Sequence, residues 1–219
     1  MPAKIQIERL LPVLKKLKSF SISISIDTTN AEVAEACLQA GADVINDVSG
    51  LRDSEGEVAR VVARFEAGLI LMHRRGNAET MQKLAIYENL ITEVFDELEQ
   101  SVHRAIECGV SRDRLVIDPG FGFSKTAEQN LFLLKEIKKF EKLQLPILLG
   151  ASRKSFIGKI TGRDVETREF GNAACIAHAF SQGVRFFRVH DVKAARDVIK
   201  MMGAIESAEF ISNARLGCL

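Results

Sequence analysis

Six times along this chain a short apolar run breaks off at a polar or charged residue, and a stretch with helical signals follows. The run Leu115-Val116-Ile117 shows the plan most fully. It suits a strand buried on both faces, it stops at Asp118, and Pro119 and Gly120 then turn the chain. A carboxylate at the end of a buried strand is costly unless something hydrogen-bonds it. Gly120, Phe121, Gly122 and Phe123 combine backbone freedom with aromatic surface, a loop able to approach and cover a flat ligand. Thr126 with Gln129 then spells a capping box that opens the next helix, expected over Asn130 to Phe140.

The other units repeat the plan. A helix with Leu10, Leu11, Leu14 and Leu17 on its apolar side comes first. Ser21–Ile26 alternates strictly as a strand and ends at Asp27; Thr28, Thr29 and Asn30 can cap a helix through Ala40, which Gly41 closes. Ala42–Ile45 ends in Asn46 and Asp47, and Ser54 with Glu57 reads as a capping box for a helix to about Phe65. Gly68–Met72 ends in His73, Arg74 and Arg75, before a helix or helix pair from about Gln82 to Cys108. Pro146–Leu149 ends in Gly150, Ala151, Ser152, Arg153 and Lys154, before helical signals from about Glu166 to Ser181. Val184–Val189 ends in His190 and Asp191; Asp191 can cap a last helix to about Met202, with Gly203 as its stop. The tail from Glu206 carries little pattern.

This alternation argues an α/β fold with a parallel sheet. Polar residues gather at the C-terminal end of every strand, where (β/α)8 barrels carry their chemistry. A doubly wound sheet would confine them to a switch point. No linker or low-complexity block divides residues 1–219, so a single domain is expected. Thirty basic and 29 acidic residues leave a net charge of +1, which argues against nucleic acid or an anionic membrane as partner. No apolar run is long enough to span a bilayer. Cys37, Cys108, Cys175 and Cys218 are scattered without metal-site spacing, so reduced thiols and a cytoplasmic location are expected, with no protein-held metal.

Read together, the tips are SIDT (Ser25–Thr28), INDVSG (Ile45–Gly50), LMH (Leu71–His73) with Gly76 and TMQ (Thr80–Gln82), DPGFGF (Asp118–Phe123), GASRKSF (Gly150–Phe156) and RVHDV (Arg188–Val192). In this order the set resembles the dihydropteroate synthase family over about Ile5 to Ala204. The resemblance implies a TIM-type (β/α)8 barrel that condenses 6-hydroxymethyl-7,8-dihydropterin diphosphate with p-aminobenzoate in folate biosynthesis. It implies Asp27, Asn46, Asp118 and Lys154 as pterin-binding residues, with Met72, Phe123 and Gly150 lining their pocket. It places Arg188 and His190 at the diphosphate, with Lys154 beside them in the catalytic set, and Ser152 at p-aminobenzoate. It also implies Mg²⁺ accompanying the diphosphate, and a homodimer or an edge-paired oligomer.

Two strands that open the family's barrel have no counterpart here. The first carries an Asn that helps hold Mg²⁺, followed by a TPDSFSDGG-type loop; the second carries a GGESTRPG-type loop. The expected fold is therefore N-terminally truncated to about six βα units, with open edges at Ser21–Ile26 and Val184–Val189. Arg74 and Ser124 stand where the family often has Met and Gly. The alternative functions are a non-catalytic pterin-binding remnant and the pterin domain of a methyltetrahydrofolate–corrinoid methyltransferase; the SRKS and RVHD motifs disfavour the latter.

The chemistry matches the residue types. A pterin's amino-oxo edge is rich in N–H donors that a carboxylate can accept in pairs, and an asparagine both donates and accepts. On local grounds alone Asp118 serves equally as a turn residue, Asp27 as a helix start and Lys154 as a solvated charge, while His73 reads as structural. Their gathering at one end of a barrel is what favours a site.

Overall fold

The computed structural model describes residues 1–209, so Cys218 and most of the patternless tail lie outside the described residues. Six parallel strands follow in chain order: β1 (Ser25–Asp27), β2 (Val44–Asp47), β3 (Gly68–Met72), β4 (Leu115–Asp118), β5 (Leu148–Leu149) and β6 (Phe186–Phe187). The first four pair in the order β1-β2-β3-β4, and β5 pairs β6. A parallel bridge from Ile117 to Ile147 carries the wall across from β4 to β5. Arg188, just past β6, donates from Nη2 to Asn46 Oδ1 on β2 at 2.7 Å. The wall therefore curls back on itself into an arc of a barrel. Among the described residues, the outer edges of β1 and β6 have no strand partner.

The helices are α1 (Ala3–Leu17), α2 (Ala31–Gln39), α3 (Glu57–Arg64), α4 (Leu90–Glu107), α5 (Ala127–Lys135), α6 (Ser155–Thr161), α7 (Glu169–Ser181) and α8 (Val192–Glu206). Their apolar stripes close onto the strands: Val58, Val61 and Val62 from α3, and Val94, Leu98 and Val102 from α4, are buried in one core with Ile45, Leu69, Leu71 and Ile117. Register pairs Ile45 with Leu69 and Leu71 with Ile117. The same register sets Asn46 beside Asp27 and Met72 beside Asp118 at the strand ends. Asn30, Thr126 and Asp191 accept hydrogen bonds as helix caps, and the Thr126–Gln129 capping box forms.

Several expected boundaries move. The SISISI strand is paired only from Ser25, and Ile22 is 60% exposed, because β2 begins opposite Ser25 and offers earlier residues no ladder. No Ser54–Glu57 capping box forms: Gly56, with φ of 88°, is the N-cap, and Ser54 Oγ has no partner. The long helix starts at Leu90 behind an Asn89 cap rather than near Gln82. Residues 155–161 form a short helix that carried no periodic signal. The helix after Asp118 spans Ala127–Lys135 and passes into a 3-10 helix, Ile137–Leu143. Gly203 does not stop the last helix, which continues to Glu206.

Candidate active site

The strand ends form one polar cup. A cavity of about 220 Å³ opens there, lined by Asp27, Val48, Asp118, Phe121, Phe123, Gly150, Ser152, Lys154, Arg188, Val189 and His190. Hollows at the opposite ends of the strands, lined by residues such as Glu66, Asp113 and Arg114, include none of the tip residues.

Asp118 is 2% exposed at the floor of the cup. Its Oδ1 accepts from the Gly120 N–H at 2.8 Å and its Oδ2 from Arg188 Nη1 at 3.2 Å. Burial pushes this carboxyl above its ordinary range, against the pull of Arg188, the Gly120 N–H and Lys154. Gly120 is required here: its φ is 76°, and a side chain would drive into the His73 carbonyl, only 1.9 Å from an added Cβ. Asn46 donates to Asp27 and accepts from Arg188. The polar groups thus satisfy one another and are poised to exchange these bonds for a ligand's.

Lys154 lies with Nζ 4.0 Å from the Phe123 ring centroid. Burial lowers its pKa, with Asp118 and Asp27 opposing. Gly122 leaves room for it: a Cβ there would meet Lys154 Cδ at 2.9 Å. Ser152 Oγ accepts the His190 backbone N–H at 3.3 Å and pairs with His190 Nδ1 at 2.9 Å. With Nδ1 engaged by Ser152, Nε2 is the ring atom that His190 can turn toward the cavity it lines.

The cavity so brings together Asp27, Asp118, Phe123, Gly150, Ser152, Lys154, Arg188 and His190, with Asn46 one hydrogen bond behind. Met72 is 1% exposed and shares the Asp118 face of the wall, beside the residues that line the cavity. Arg188 lines the cup and also donates to Asp118 and Asn46. Val48 and Val189 line the cup without having been singled out; both sit inside the quoted tip motifs, which was their only signal.

Among the described residues no group of three or more His, Cys, Asp and Glu gathers to hold a metal ion. Both carboxylates of the cup are engaged by Asn46, Arg188 and Gly120, and Arg188, His190, Ser152 and Lys154 line the same cavity.

Fold and cup define a class: an α/β barrel-type protein with a polar, aromatic-lined cup at its strand tips. The chain belongs to the pterin binding enzyme family, which matches residues 1–190. It is 44% identical over 204 residues to the dihydropteroate synthase of Synechocystis sp., covering 92% of this chain and 70% of that protein. It is 40% identical over 208 residues to the Mycobacterium leprae enzyme, covering 92% and 73%. The solved structure of Thermus thermophilus dihydropteroate synthase in complex with 6HMPPP superposes with a TM-score of 0.85 at 39% identity, covering 90% of this chain and 78% of that one. The same enzyme in complex with 4-aminobenzoate gives 0.85 and 39%, covering 89% and 75%.

Proposed function

We propose that this chain is a transferase of the dihydropteroate synthase type. It joins 6-hydroxymethyl-7,8-dihydropterin diphosphate to p-aminobenzoate and releases diphosphate. The observation that carries the reading is the convergence of Asp118, Asn46, Lys154 and Arg188, from four different strand ends, on one aromatic-lined cup. Asp118 accepts the pterin's amino and ring N–H groups, Asn46 matches a mixed donor–acceptor edge, and Lys154 donates to the ring oxygen or nitrogen. Arg188 and His190 receive the diphosphate. In the reaction the arylamine nitrogen bonds to the pterin methylene carbon as that carbon's bond to the diphosphate oxygen breaks. The diphosphate leaves with the electron pair and the nitrogen sheds a proton. Negative charge grows on the leaving group, so the cationic donors stabilise the transition state more than the ground state. The neutral arylamine needs placement more than activation, and Ser152 lies where its pocket begins. Magnesium enters with the diphosphate as part of the substrate.

A second reading is favoured by one observation. The cup lies beside the unpaired outer edges of β1 and β6, so the wall on that side is open. A pterin-binding protein without turnover fits that geometry. We take the chain as one barrel domain that pairs with a second copy, a proposal the open edges support. Cys37, Cys108 and Cys175 are free thiols, which supports a reducing, cytoplasmic setting.

Titration with a plain pterin and with the pterin diphosphate plus Mg²⁺, followed by turnover of labelled p-aminobenzoate on the same sample, separates the readings. Binding with turnover is expected. Binding without turnover assigns the non-catalytic reading, and no binding of either pterin overturns both.

A further inference from the structure

Behind the cup lies a set of buried polar groups that the reaction does not use. Lys125, two residues past the ligand-facing loop, is buried, and so is His73, one residue past Met72. Lys125 Nζ donates to the Gly120 carbonyl at 3.2 Å, to the Phe123 carbonyl at 3.1 Å and to His73 Nδ1 at 2.9 Å. Three acceptors match the three N–H groups of an ammonium, whereas a neutral amine offers two. His73, accepting at Nδ1, carries its hydrogen on Nε2 and donates it to Glu97 Oε2 at 3.1 Å. Glu97 is held in turn by Arg75 Nε at 2.8 Å and lies 3.5 Å from Arg52. One chain of bonds thus runs from Glu97 on α4, with the arginines around it, to the inside of the loop.

Both carbonyls that Lys125 holds belong to residues that set the cup. The Gly120 N–H is the donor that orients Asp118, at 2.8 Å. Phe123 is the ring on which Lys154 rests. Lys125 itself does not line the cavity.

We propose that Lys125 is a positioning residue for pterin recognition: it pins the Gly120–Phe123 loop against His73 and so fixes Asp118 and Phe123 in their binding geometry. The assignment rests on reading the cup as a pterin site. The electrostatics agree with the geometry. Burial brings Lys125 down to about 7, opposed by Asp118 and Glu97 and reinforced by Arg75 and Arg52. Burial and the Lys125 charge hold His73 down at about 3, so it stays neutral and competes for no proton near neutrality. As pH rises through neutrality the ammonium loses its third N–H, and the loop loses one of its ties.

The test is plain-pterin affinity of wild type and Lys125→Met, measured side by side from mildly acid to mildly alkaline pH. The ratio cancels the pterin's own ionisation. At about pH 6 the variant is expected to bind about tenfold more weakly, and by about pH 8.5 the gap should narrow to about threefold. An unchanged affinity, or a loss that stays constant with pH, overturns the positioning role. If Lys125→Met does not fold, Glu97→Gln decides, because it changes the far end of the same chain on a partly exposed side chain. A loss of about threefold in pterin affinity supports the proposal, and no loss overturns it. Wild type is measured first: failure of wild type to bind pterin overturns the functional reading and this assignment together, whereas a normal wild type with an unaffected variant overturns the assignment alone.

Discussion

The middle of the wall and its two flanks are built differently. β2, β3 and β4 run four, five and four residues, and each is paired or bridged on both sides. Their tips are dry: Asn46 is 1% exposed and Asp118 2%. β1 has three residues and β6 two, each with one edge unpaired, and Phe186 of β6 is 48% exposed. The difference teaches where each half of the function is supported. On the proposed reading, the buried heterocycle contacts Asn46 and Asp118 stand on the doubly paired strands, while the more exposed Asp27 stands on the flank strand β1. Anion handling tolerates solvent, and Arg188 and His190 stand on the flank. The sharpest way to break this comparison is to damage each region equally. Ile117→Ala removes a fully buried side chain from β4 and should cost about 2–5 kcal/mol in denaturant unfolding. Phe186→Ala on the flank should cost less than about 1 kcal/mol. Comparable losses would mean that the flank is packed as tightly as the middle.

The next largest effect is on recognition. Asp118→Asn keeps the shape but replaces the charged acceptor proposed for the pterin's N–H pair with an amide, one end of which is a donor. Losing a hydrogen-bonded buried charge costs about 2–5 kcal/mol, so calorimetry should show plain-pterin affinity down by about a hundredfold. Retention of affinity would place the pterin elsewhere than this cup.

The tips were legible in the sequence because burying Asp118 or Asn46 at the end of an apolar run makes no sense without a partner. Paired lengths were not legible. SISISI satisfies the strand pattern from Ser21, yet alternation reports only a face, and pairing also needs a neighbour. VRFFRV likewise pairs over only two residues. The Thr126–Gln129 box formed and the Ser54–Glu57 box did not, because Gly56 adopts a left-handed turn that moves the cap past Ser54. Met72 sits in a pocket motif and shares the Asp118 face of the wall, but it is 1% exposed. The Lys125–His73 contact joins residues 52 positions apart, and a lysine in a sequence reads by default as solvated. Ser124 replaces a glycine common in the family yet keeps a left-handed backbone, with φ of 45°; Tyr87 donates to its carbonyl at 3.0 Å and its Oγ accepts the Arg75 N–H at 3.0 Å. Such compensation is visible only in three dimensions.

Arg188 joins the two regions, and the smallest of these effects tests how. It rises from the flank, its side chain is 40% exposed, and it spans the cup to reach Asp118 and Asn46. A flexible, partly hydrated guanidinium can leave those partners when a pterin takes their lone pairs, and then turn its fork to the diphosphate. Arg188→Ala should therefore weaken the pterin diphosphate by about tenfold or more, the worth of a charge-assisted bond pair, in titrations of the two ligands. Plain pterin should weaken by no more than about threefold, because the ligand itself replaces the partner that Asp118 loses. Equal losses for the two ligands would make Arg188 a strut of the pterin floor rather than an anion clamp, and the division of labour between the middle of the wall and its flank would fall with it.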